Sequence, residues 1–100
     1  MNARKQNQLL CEKMTAEQAV YRSWLLSLPP EEILNHTFEY TVRQEILITM
    51  GELLLPRAQA EALLASCAPL DDVYKDFCNI DAGLTETIWT CIQERAVTVQ

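Results

Sequence analysis

The sequence predicts an all-α fold: a compact single-domain bundle of about five helices of unequal length. Three observations lead there. The 100 residues include only two glycines and no Asn-Gly or Asp-Gly dipeptide, so the material for β-hairpins is missing. Apolar residues recur every three or four positions through most of the chain. The four prolines fall between those stretches rather than inside them. The length suits one domain, and an apolar fraction of 49% argues against disorder.

The first helix is expected over about 3–28, with Leu10, Met14, Tyr21, Trp24, Leu25 and Leu28 on one stripe. Trp24 on that stripe reads as a core residue. Thr15 with Gln18 has the form of a capping box, which allows a break near Met14. Pro29-Pro30 ends the helix, because the residue before a proline avoids helical torsions. The second helix is expected over 30–54. Pro30 suits its first position, and Glu31 and Glu32 meet the positive end of its dipole. Ile33, Tyr40, Leu47 and Leu54 repeat every seven residues, while Leu34, Phe38, Val42, Ile46 and Met50 step every four. Two stripes on one helix mark it as the central one, buried on more than one side.

A third helix, 56–65, follows from alanine-rich sequence with Gln59 and Glu61. A fourth, 70–78, turns Val73, Tyr74 and Phe77 inward and carries Asp71 and Asp72 in its first turn. The fifth, 81–96, is capped by Asp81. Leu84, Ile88, Cys91 and Ile92 form its inner stripe, with Trp89 beside them and the tail 97–100 fraying.

The net charge is −6 and unevenly placed. Residues 1–27 hold four basic and two acidic groups, and residues 28–100 hold four basic and twelve acidic ones. An acidic body disfavours nucleic-acid phosphates, which are bound by Lys and Arg displacing counterions. No glycine turn of the helix-turn-helix kind is present.

Chemistry fares no better. The cysteines at 11, 67, 78 and 91 lack the close pairs that structural zinc requires, and none sits in a nucleophile signature. His36, the sole histidine, shares a helical face with Glu32, Glu39 and Arg43, which reads as a solvated, salt-bridged row. Glu31-Glu32 and Asp71-Asp72 are explained by helix starts. A phosphate-cradling glycine loop is absent. The expectation is therefore no enzyme, no catalytic residue, no cofactor and no metal. The polar start from Met1 to Gln8, and the lack of a membrane-length apolar run, point to the cytoplasm.

Several stretches are familiar together. They are 9–18, Trp24-Leu25-Leu26, the run Pro29-Pro30-Glu31-Glu32-Ile33-Leu34-Asn35-His36, Tyr40 through Leu47, and Pro69 through Phe77. On these the chain resembles a family of uncharacterised proteins of about this length from gut Clostridia and their relatives. The resemblance implies carriage on conjugative elements and phages. It implies no reaction and assigns no residue a role.

The function expected from these readings is that of a mobile-element accessory protein binding a host protein. A nucleic-acid-targeting defence enzyme such as a CRISPR effector is the expected partner, inhibited through an acidic helical surface. Glu31, Glu32, Glu39, Asp71, Asp72 and Asp76 are the candidate surface. Charge reversal at Asp71 and Asp72 is expected to leave the fold intact. One alternative is a homo-oligomeric module of conjugative transfer or of a phage, joined through Ile33, Tyr40, Leu47 and Leu54. Another is a small-ligand site in the helical core, drawing on Trp24, Tyr40 and Trp89.

Overall fold

Asn2 opens the first helix by accepting a hydrogen bond from the Lys5 backbone N–H at 2.9 Å, a side-chain cap on a free helix end. Among the described residues the computed structural model has six helices: α1 (Ala3–Leu26), α2 (Pro30–Asn35), α3 (Thr37–Glu52), α4 (Arg57–Leu64), α5 (Pro69–Ile80) and α6 (Gly83–Thr98). It describes residues 2–80 and 83–98, the side chains of 83–86 excepted. The expected capping by Asp81 and the inward turn of Leu84 lie outside the described residues. The fold is all-α, and no strand occurs among the described residues.

The expected helix 30–54 is two helices. His36 sits between them at φ −111° and ψ 6°, and the Thr37 hydroxyl donates back to the Leu34 carbonyl at 3.0 Å. Asn35 and Thr37 have side chains that compete for backbone groups, and neither favours a helix interior. α3 then stops at Glu52, because Leu53 is extended and Leu55 precedes Pro56. The heptad Ile33, Tyr40, Leu47, Leu54 is thereby divided among α2, α3 and the connector beyond it. It cannot form one continuous seam.

The central helix is α1, not the segment carrying two apolar stripes. α1 runs unbroken past Thr15 and packs against α3, α4 and α5. Leu10 and Met14 are fully buried, and with Met50 and Leu70 they make the core. Ala60 is also fully buried, and its small side chain lets α4 approach α1 closely. By contrast α3 leaves Phe38 and Ile48 substantially exposed and buries only Arg43 and Met50.

Polar side chains on α1 fix where each neighbour sits. The Asn7 amide donates to the Leu55 carbonyl at 2.9 Å and accepts from the Leu55 N–H at 3.0 Å, clamping the α3–α4 connector. Lys13 Nζ donates to the carbonyls of Leu64, at 2.8 Å, and Ser66, where α4 leaves acceptors unpaired. Gln18 Nε2 reaches Gln44 Oε1 at 3.1 Å on α3. Each bond satisfies a backbone or side-chain group that would otherwise be buried at a cost.

Two expected core positions lie outside the core. Trp24 is 47% exposed, with its ring set edge-on to His36 at 5.1 Å between centroids, while Leu25 beside it is the buried residue at this end of α1. On α6 every residue from Thr87 to Thr98 is exposed, so Ile88, Cys91 and Ile92 form no inner stripe. α6 continues through Thr98 and, among the described residues, packs little against the other helices; the principal extents are 61 × 34 × 20 Å. No helix among the described residues is long and apolar enough to cross a membrane.

Candidate functional site

The most organised polar cluster centres on Arg43, which interrupts the apolar spacing of α3 between Val42 and Ile46. Its side chain is 6% exposed, where a guanidinium requires compensation. Three carboxylates from three helices supply it. Nη2 lies 2.7 Å from Asp71 Oδ1 on α5, Nε lies 3.0 Å from Glu39 Oε2 one turn earlier on α3, and Nη1 lies 3.9 Å from Glu17 Oε2 on α1. The guanidinium also lies over the Tyr21 ring, 4.3 Å from its centroid, and 5.7 Å from that of Tyr74.

Glu17 has a second duty. Its two carboxylate oxygens accept from the backbone N–H groups of Leu70 and Asp71, each at 2.9 Å, and so close the N-terminus of α5. Asp71 in turn pairs with Lys75 Nζ at 2.8 Å. The result is a closed network whose donors and acceptors face one another. It fixes α1, α3 and α5 relative to one another.

The acidic residues expected as one surface divide here. Glu39 and Asp71 are held by Arg43, and Asp72 accepts from the Ser66 hydroxyl. Glu31, Glu32 and Asp76 are exposed on α2 and α5. The solvated row through His36 is also corrected, since Arg43 is buried and His36 packs on Trp24. Glu17, Arg43, Tyr21 and Tyr74 were not singled out as a site. The available signal was a lone arginine inside an apolar stripe with Glu39 four residues before it.

Reversal at the two aspartates should therefore have unequal effects. Asp71→Lys places a cation against Arg43 and Lys75 and is expected to cost about 2 kcal/mol, below the range for a fully buried pair because Asp71 is partly exposed. Asp72→Lys loses a first-turn charge and the Ser66 contact, worth about 1 kcal/mol. Urea midpoints of the two variants would check the order.

Burial pushes the Tyr21 phenol above its ordinary range, and the nearby Glu39 carboxylate adds to the shift against the opposing Arg43 charge. Its hydroxyl is buried beside Glu39 and makes no hydrogen bond of ordinary geometry among the described residues. Tyr74 is raised by its side-chain bond to Cys78 and by burial. Both folded values exceed the ordinary 10.0, so the fold holds these protons more tightly than the unfolded chain does. That stability is fully present below pH 10.0 and is lost as pH rises through the folded values. Denaturation midpoints should fall across that alkaline window, and Tyr21→Phe with Tyr74→Phe should flatten the fall.

Several grooves lie beside the network, two of them walled mainly by apolar side chains. The larger, about 500 Å³, runs between α3, α4 and α5 and is lined by Val42, Ile46, Met50, Leu53, Leu63 and Phe77, among others. The smaller, about 290 Å³, is walled by Leu25, Ile33 and Tyr40 where α1, α2 and α3 meet. Trp24 and Trp89 line neither groove, so the three aromatics expected around a ligand do not converge. Among the described residues no three His, Cys, Asp or Glu side chains are placed to hold a metal ion.

The family described as protein of unknown function (DUF3848) matches residues 6–100. The chain belongs to that family. No curated protein and no solved structure matches it. The DUF3848 match takes in the Arg43 network, both grooves and the whole of α2 through α6.

Proposed function

We infer that this protein is a non-enzymatic accessory of a mobile element that works by binding a basic host protein. A cytoplasmic nucleic-acid-targeting defence enzyme, of the CRISPR-effector kind, is the partner class that fits. The carrying observation is charge left unneutralised. Residues 28–80 hold nine acidic and three basic groups. All three cations, Arg43, Arg57 and Lys75, are already ion-paired within the fold. Glu31, Glu32, Asp72 and Asp76 have no cation within ion-pairing distance among the described residues. An acidic surface of this kind suits the basic channel in which a nuclease holds nucleic acid, and association would be steered by charge and weakened by salt.

The test is nuclease cleavage by purified defence effectors at low and moderate salt, with and without the protein. Inhibition that falls with salt and is lost in Glu31→Lys with Glu32→Lys supports the reading. Undiminished cleavage at low salt, with no complex formed, overturns it. The heptad Ile33, Tyr40, Leu47 and Leu54 is split among α2, α3 and the connector, so it offers no single seam for the oligomeric alternative.

A further inference from the structure

We propose that the protein pairs with a second copy of itself by reciprocal exchange of α6, each α6 seating its apolar face in the α3–α4–α5 groove of the other copy. This inference stands apart from the binding of a host protein. It starts from two unsatisfied surfaces on the same chain. The open surface of the groove is mostly apolar, with Thr41, Glu45 and Thr49 the polar residues of its lining, and its Phe77 is still 38% exposed. α6 carries Ile88 at 49% and Ile92 at 61% exposure, with Cys91 between them on the same face. Their spacing of three and four residues aligns them along one side of the helix, the pattern of a helix that beds into a groove.

Charge selects the occupant and its direction. Among the described residues Glu45 is the only charged one lining the groove, and it has no cation within ion-pairing distance there. Arg95 lies seven residues after Ile88, hence on the same face, and likewise has no carboxylate partner among the described residues. Ile88 to Arg95 spans ~10 Å of helix, and Glu45 to Leu53 spans ~12 Å. An α6 laid antiparallel to α3, with Ile88 towards Leu53, brings Arg95 to Glu45 and buries Ile88 and Ile92 over Ile46, Met50 and Leu63. Exchange of an identical element between copies reuses one contact twice, which makes it an economical route to a dimer.

The full chain, under reductant, is measured by sedimentation equilibrium up to high micromolar concentration. A dimer is expected, and Ile88→Lys with Ile92→Lys should give a monomer of unchanged helicity, since both side chains are exposed within one copy. Glu45→Arg and Arg95→Glu should each weaken the dimer roughly tenfold or more, because each opposes like charges. Mixing those two variants should restore it, because each α6 then meets a groove of opposite charge. A monomeric wild type overturns the proposal. So does a dimer indifferent to these substitutions, which would join through another face. Failure of the mixture to restore pairing overturns it as well, and a double variant restored only within one chain would assign α6 to its own groove.

Discussion

Replacing Arg43 by Met is expected to destabilise the protein by about 3 kcal/mol or more, the cost of removing one member of a buried charge network and leaving the rest. Glu17 and Glu39 would then lose the cation they share, Asp71 would keep only the exposed Lys75, and Tyr21 would lose the group that lies over its ring. A domain of this size has about 5–15 kcal/mol in all, so the loss is a large share. Arg43→Lys should restore little, because an ammonium has neither the planar fork for three separate oxygens nor the flat face that stacks on tyrosine. Thermal unfolding of both variants by circular dichroism is the measurement. A midpoint for Arg43→Met near that of the unsubstituted chain would show that the network is dispensable.

Leu10→Ala is expected to cost about 2–5 kcal/mol through lost burial and the cavity left behind. Leu10 is fully buried and packs in the cluster with Met14, Met50 and Leu70. α1 lies against α3, α4 and α5 at once, so the surroundings have little freedom to collapse into the void. Trp24→Ala removes far more atoms yet should cost less, since half of that ring is in water and no enclosed cavity results. Urea unfolding of the pair decides the order. The reverse order would place the core at the far end of α1.

Much of the secondary structure was legible from the sequence. Proline positions and apolar spacing put helix ends near 28, 56 and 70, within two residues of where α1 stops at Leu26, α4 begins at Arg57 and α5 begins at Pro69. The break at His36 was less visible because it uses neither proline nor glycine, only side chains with weak helix preference at Asn35 and Thr37. The candidate site was legible only in pieces. Glu39 and Asp71 were recognised as acidic groups on helices, but charge counting treats every carboxylate as solvated. Glu17 and Arg43 are 26 positions apart, and nothing local states that they meet.

The sequence by itself determined that the chain is helical, where most helices start and stop, and that its body is acidic, because those properties depend on neighbours within a few residues. Only the tertiary structure decided that α1 is the centre, that Trp24, Ile88 and Ile92 are exposed within one copy, and that Arg43 is buried. Apolar periodicity says that a face wants covering and not which helix covers it. On α1 the polar residues Asn7, Lys13, Glu17 and Gln18 settle the arrangement, because each finds a partner that its neighbours in sequence do not provide.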